Sequence, residues 1–228
     1  MKSTKYATLI LDADLYPRGS VDDQYIGTLA EALRSGAKLP PPVACAATKR
    51  IIDGAHRQKA ALRVFGKDYA GEVIFKKYRS DADRFADAVR LNAGHGRRLS
   101  TYDRAHCLAI AERVELSVER LADCLSITCA TLEDLRTDRT AHITSLNGRA
   151  SRSVALKHTN RHLAGRELSA AQVEGNDRSG GMQQLFYVNQ VINLLEHDLV
   201  DPQDGRMAER LQRLGGLVEE RFATAAKS

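Results

Sequence analysis

The run Ile51-Ile52-Asp53-Gly54-Ala55-His56-Arg57-Gln58-Lys59-Ala60-Ala61 concentrates residue types that can do chemistry. A short apolar strand turns at Asp53-Gly54 and enters a helix whose first turns carry His56, Arg57 and Lys59. The first amides of a helix have no partner within it, and its dipole favours negative charge there. Such a start aims backbone N–H groups and two or three cations at one spot, which suits a phosphate group. The bland reading is an ordinary Asp-Gly turn before a helix, with Arg57 and Lys59 facing solvent.

A second pattern runs from Ser117 to Leu135. Ser117 is a sound N-cap, Leu121 and Leu125 fall on one helical face, and Ala122 is small where two helices would cross. Ile127 plugs a turn, Thr128 caps a second helix, and Leu132 and Leu135 lock that helix back onto the first. The position that usually holds Gly in such a turn is Ser126, which costs left-handed freedom. The spacing predicts a helix-turn-helix with its recognition element starting at about Cys129; a plain helical hairpin is the alternative.

Glu133 and Asp134 on that helix would repel phosphate. Residues 136 to 166 lean the other way, with Arg136, Arg139, Arg149, Arg152, Lys157, Arg161 and Arg166 against the single acid Asp138. Thr128, Thr131 and Arg136 are expected to approach bases or phosphates. Arg139, Arg149, Arg152 and Lys157 are expected to hold the DNA backbone.

These residues need elements to position them. Residues 6–12 are expected to form a strand, followed by a turn at Tyr16-Pro17-Arg18-Gly19 and a helix over 22–35 ended by Gly36. Prolines 40–42 lead into a hairpin of strands 43–46 and 49–52. A helix to about Val64 and a strand over 71–78 follow. From Asp81 onward the period is helical, interrupted at 92–100, 144–153 and 174–181. The fold class is α+β: a small N-terminal α+β domain (1–98), an all-helical helix-turn-helix domain (99–166) and a C-terminal helical region (167–228).

In that last region, residues 183–200 and 204–224 form amphipathic helices. They either pack on the helix-turn-helix domain or pair with a second copy, as a homodimer reading two half-sites would.

Whole-chain numbers set the class of partner. The 228 residues are 43% hydrophobic and 28% charged, with net charge +5. That balance favours polyanionic partners. The absence of Trp disfavours large stacking platforms for single strands. No apolar run approaches the roughly 20 residues needed to span a bilayer. Cys45, Cys107, Cys124 and Cys129 form no CxxC pair, so all four are expected to be buried reduced thiols in a cytoplasmic protein.

Taken in order, residues 1 to about 135 resemble the ParB family of partition proteins. Leu9 to Arg18 is similar to its opening strand and arginine-containing turn. Leu39-Pro40-Pro41-Pro42-Val43 is similar to its Pro-Pro-Val stretch. Asp53 to Ala60 stands at its Gly-Glu-Arg-Arg phosphate motif, and Leu91-Asn92-Ala93-Gly94-His95-Gly96-Arg97-Arg98 at its Glu-Asn-x-Gln-Arg motif. The form of residues 92–104 resembles ParB-like transcription activators and ParB-like phage proteins.

The resemblance implies double-stranded DNA as partner, a role in transcription regulation or DNA partition, and CTP with Mg2+ as cofactors. It also implies triphosphate contacts from Gly54, His56 and Arg57, with Asn92 near the metal and Arg97 or Arg98 near phosphate. Ala55 and Leu91 stand where the family has acidic residues, which favours binding over hydrolysis.

The same N-terminal architecture occurs in sulfiredoxins and free-serine kinases. Sulfiredoxin chemistry needs a nucleophilic Cys where this chain has Ala55. A small-molecule kinase of the free-serine type is the alternative, using Asp53-Gly54-Ala55-His56-Arg57 with Asp12 or Asp14 as base. No carboxylate and His set with two-metal spacing supports a nuclease.

Overall fold

In the computed structural model, residues 2–94, 97–144, 151–179 and 184–222 are described. The chain divides into two compact units, Met1–Gly181 and Met182–Ser228.

The first unit opens with β1 (Lys2–Lys5), a 3-10 turn (Tyr6–Thr8) and β2 (Ile10–Leu11). Then come α1 (Asp23–Arg34), β3 (Val43–Cys45), β4 (Arg50–Asp53), α2 (Ala55–Phe65) and β5 (Ala70–Lys76). The five strands form one sheet in the order β1-β5-β3-β4-β2. β1 and β5 pair antiparallel, as do β3 and β4, whereas β3–β5 and β2–β4 are parallel. Strand alternation supplies two apolar faces. Ala44, Ile51 and Val73 pack with Ala55 and Ala61 of α2, while Val43, Cys45 and Ile52 face the other way.

The single strand expected over 6–12 is broken. Buried Gln58 reaches from α2 and donates through Nε2 to the carbonyls of Tyr6 (2.8 Å) and Leu9 (3.3 Å). Those bonds stabilise the 3-10 turn that separates β1 from β2.

α3 (Asp81–Gly94) joins the sheet to a helical layer. Its Ala88 packs on Val43 and Ile52, and its Phe85 and Val89 enter a second core. That core is completed by α4 (Thr101–Arg113), α5 (Val118–Leu125) and α6 (Cys129–Arg139), through Leu108, Leu121, Leu125 and Leu132. A reciprocal capping box between Ser100 and Asp103 starts α4.

An all-helical region after residue 98 does not hold. β6 (Thr140–Thr144) and β7 (Ser151–Ala155) form an antiparallel hairpin. Thr140 ends α6 in extended backbone, and its hydroxyl donates to the Arg136 carbonyl (2.7 Å). From there alternate residues point inward: Ala141 is buried and Ile143 half-buried beside Leu156 and Leu168, while His142 and Thr144 are exposed. A 3-10 helix (His158–Leu163) and α7 (Ala170–Arg178) close this unit. Buried Asn176 of α7 accepts from the Lys157 amide and donates to the Ala155 carbonyl.

The second unit contains α8 (Gln184–Glu196) and α9 (Gly205–Phe222), neither with a buried residue. No helix among the described residues is long and apolar enough to cross a membrane.

Candidate functional site

A cleft of about 1090 Å³ opens within the first unit. Arg18, His56 and Arg97 line it from the α+β part; Arg139, Arg152 and Lys157 line it from the end of α6 and from β7 onward. With Arg113 of α4 the wall holds six Arg and Lys side chains, beside His56, His106 and His158, against the acids Asp22, Asp103 and Asp177. The local field is positive, and the dimensions are those of a small-molecule pocket.

Arg18 organises one wall. Its guanidinium is buried, donates from Nε to Asn92 Oδ1 (3.3 Å), and also donates to the carbonyls of Arg97 and Arg98. Asn92 is buried too, and its amide nitrogen donates to the carbonyls of Ala88 (2.9 Å) and Ile52 (3.4 Å). One arginine therefore ties α3, β4 and the 97–98 segment together and sets where Arg97 enters the cleft.

His56 is held differently from a free cation. Its Nε2 accepts from the backbone N–H of Asp22 (3.1 Å), which fixes that nitrogen as the unprotonated one. Burial, then the positive charge of Arg18, holds the imidazole below its ordinary range. His56 is a neutral wall residue that helps seat the Asp22 N-cap of α1. Arg97 pairs with the same Asp22, whose carboxyl is lowered first by the Tyr25 amide it accepts from and then by Arg97.

Gly54 and Arg57 do not join this cleft. Arg57 turns back on Asp53 (2.5 Å) and lies over Gly54, lining a different hollow beside Tyr6 and Tyr69. Gly54 caps α2 with φ +91°, and a Cβ there would meet the Arg57 guanidinium at 2.8 Å and Pro42 Cα at 3.0 Å. Only glycine fits that turn. Arg98 is exposed and takes part through its carbonyl, and Asn92 is spent on positioning Arg18. The sequence thus located the wall through His56 and Arg97 but missed its organiser, Arg18. The signal available was a lone arginine in a Pro-Arg-Gly turn. Tyr102 and His106 of α4, which also line the cleft, carried none.

The helical pair expected at 117–135 is formed. Ser126 ends α5 in the left-handed region (φ +54°, ψ +47°), and the Ile127 amide donates back to the Ala122 carbonyl (3.1 Å). Thr128 caps α6, accepting from the Thr131 amide (3.1 Å), with its hydroxyl 2.9 Å from that of Thr131. Leu121, Leu125 and Leu132 are buried against α3 and α4, so the pair is rigidly seated. Thr128, Cys129, Ala130 and Thr131 are left exposed at the start of α6.

Several basic residues lie elsewhere than the DNA expectation put them. Arg136 is drawn toward Glu112 (3.5 Å) and Glu133 (3.6 Å). Lys157 donates to the carbonyls of Asp177 (2.5 Å) and Ser179 (2.6 Å) at the end of α7, with its ammonium 5.9 Å from the centre of the Tyr102 ring. Arg139 and Arg152 point into the shared cleft, and Arg149 lies outside the described residues. Cys45, Cys107 and Cys124 are buried, but Cys129 is exposed, because it occupies the outward side of the first turn of α6.

The bases required by a kinase are placed apart from His56. Asp12 is buried between Arg50 (2.7 Å) and Arg84 (3.1 Å), and it lines a separate hollow with Asp14. Among the described residues no group of three His, Cys, Asp or Glu could hold a metal ion.

No family model matches the chain. Among solved structures, C-terminally truncated ParB of Caulobacter crescentus complexed to the parS site aligns over 60% of this chain and 71% of that one. Identity is 16% and the TM-score 0.44. The same truncated protein complexed with CTP-γ-S aligns over 60% of this chain and 77% of that one, at 17% identity and TM-score 0.36. The transcriptional regulator NovG of Streptomyces niveus is 30% identical over 183 residues, 77% of this chain and 55% of that protein. A possible regulatory protein of the streptomycin biosynthesis operon of Streptomyces griseus is 32% identical over 170 residues, 70% of this chain and 45% of that protein.

The chain is similar to two Streptomyces regulatory proteins. It spans about half the length of the two curated relatives it matches. Helix α2 contributes His56 to the cleft, while Arg57 is paired with Asp53 outside it.

Proposed function

We propose that this chain is a ParB-like, sequence-specific double-stranded DNA-binding protein, acting in transcription regulation or DNA partition. The observation that carries the reading is the α5–turn–α6 pair. It is fixed by a buried leucine core, with the capped, exposed first turn of α6 free to enter a major groove. The similarity to two regulators supports it. Exposed Glu133, Asp134 and Asp138 along α6 confine the approach to its N-terminal turn, where Thr128 and Thr131 stand and the helix dipole favours phosphate. A DNA-binding role implies a cytoplasmic protein.

The cleft adds a phosphorylated ligand of the nucleoside triphosphate class as modulator. Its cations suit phosphate oxygens, Arg97, Arg113 and Arg152 being the exposed ones. Magnesium is a poorer match: Asn92 Oδ1 already faces the Arg18 guanidinium, which repels a second cation. The proposal therefore keeps the phosphate part of the family's ligand and no hydrolysis. The small-molecule kinase is disfavoured by the arginine clamp on Asp12.

The test is retention of a random duplex pool at low ionic strength, followed by titration of each nucleoside triphosphate with and without magnesium. Retention that falls steeply with salt, and heat from a triphosphate without magnesium, are expected. No retained duplex of any sequence sinks the DNA reading. Heat seen only with magnesium sinks the metal-free cleft.

A further inference from the structure

The DNA-binding reading leaves two features of the sequence without a role: Arg57, which turns away from the cleft, and the proline run that begins at Pro40. Both border a second hollow of about 380 Å³, within the size range of small-ligand sites. Helix α2 gives it Arg57 and Phe65, the loop after α1 gives it Lys38 and Pro40, and Tyr6 and Tyr69 add two more rings.

The rings are fixed by the chain itself. Tyr6 is buried and lies against Gly71, where a Cβ would meet its ring at 3.0 Å. Its hydroxyl donates to the Glu72 carbonyl (3.1 Å), and its amide donates to the Tyr69 carbonyl (3.0 Å). Tyr69 meets the Tyr6 ring edge-on (89°, centroids 5.2 Å apart), and Phe65 stacks on Tyr69 (24°, 4.7 Å). The three rings form one continuous wall, and Phe65 at its end is 48% exposed. Such a wall packs well against another flat ring, offset or edge-on.

Arg57 supplies the polar anchor. Its Nη2 donates to Asp53 (2.5 Å), and its Nε and Nη2 lie over Gly54. That edge fixes the plane of the guanidinium. Nη1 makes no bond among the described residues and keeps its two N–H donors. The lining holds two cations, Arg57 and Lys38, against one acid, Glu72. A guanidinium with a free donor pair suits an oxyanion. Asp53 already neutralises part of its charge, so a single negative charge fits better than the two of a phosphate group.

We propose that this hollow binds a small aromatic carboxylic acid, its ring against Tyr6, Phe65 and Tyr69 and its carboxylate on Nη1 of Arg57. The site is distinct from the cleft, although both draw on the first turn of α2: His56 serves one and Arg57 the other. Duplex and triphosphate binding play no part in it, so it can fail separately from the DNA reading.

The test uses the full chain, isotope-labelled, with 2-naphthoate as probe and amide chemical shifts as readout. Saturating shifts at Ala37, Tyr69 and Glu72 are expected, with a dissociation constant of about 1 mM or tighter. R57Q and F65A should each weaken binding at least tenfold. The cationic counterpart, 2-naphthylmethylammonium, should bind at least tenfold more weakly than naphthoate. Phe65 is exposed, so F65A and the cationic probe decide the matter if R57Q does not fold. Absence of saturation at about 10 mM naphthoate overturns the proposal. So do shifts confined to the cleft residues Arg97, Ser100 and Tyr102, or a folded R57Q or F65A that binds as before. Tighter binding of the ammonium than of naphthoate overturns it as well.

Discussion

Replacing Arg18 with Met removes one guanidinium while leaving an apolar stem of similar length in its channel. Three acceptors lose their donor at once: Asn92 Oδ1 and the carbonyls of Arg97 and Arg98. Asn92 is 5% exposed, so water cannot take the place of the guanidinium there. A buried acceptor left unpaired costs about 1–3 kcal/mol, and the two partly open carbonyls add about 1 kcal/mol together. The expected loss is about 2–4 kcal/mol, read from urea unfolding as a lower midpoint at unchanged slope. Asn92→Ala strands the Arg18 charge in turn and breaks the bonds to Ala88 and Ile52. The double variant should fall short of the sum of the singles by about 1 kcal/mol or more, because the shared contact is lost only once. A cost below about 0.5 kcal/mol for Arg18→Met, or strict additivity, would refute the claim that this pair holds the cleft wall.

Three further outcomes follow from the geometry. Ser126→Gly relieves a left-handed residue at a cost of about 1–2 kcal/mol, offset by about 0.5–1 kcal/mol of added chain entropy. It should therefore stabilise slightly in thermal unfolding, whereas Ser126→Val should destabilise. Arg139→Ala with Arg152→Ala, if both touch phosphate, should reduce the salt slope of duplex binding by about 1.8. An unchanged slope would assign them to the cleft ligand alone.

The histidines give a pH dependence of known sign. His56 and His106 are both held below the ordinary 6.5, mainly by burial, so the unfolded chain takes protons that the folded chain refuses. Stability should be fully present above that value and fall as pH drops below 6.5. In His56→Gln the fall should be shallower; an equally steep fall would contradict the role given to His56.

Much of the architecture is legible wherever one residue forces the local backbone. Ser126 sits in the left-handed conformation its place in the turn demanded, Gly54 is required by its φ, and Leu121, Leu125 and Leu132 are buried as their spacing indicated. The hairpin after α6 was hidden because its strands are five residues each with small inward residues such as Ala141 and Ala155, which weakens the period-two signal.

In the site, the sequence overcounts free cations. Arg57 pairs with Asp53, four residues earlier across the turn that opens α2, where the bland expectation had it facing solvent. The capture of Lys157 by carbonyls twenty residues away was not visible at all. Arg18 reaches Asn92 across 74 residues, so its role needs the tertiary fold.

The most direct test of the α6 assignment uses its own thiol. Cys129 is exposed in the first turn of α6, whereas Cys45, Cys107 and Cys124 are buried. With a selected duplex at saturating concentration, alkylation of Cys129 should slow at least tenfold relative to the free protein, and recover when salt releases the DNA. Alkylation at the same rate while the duplex remains bound would put the reading surface somewhere other than α6.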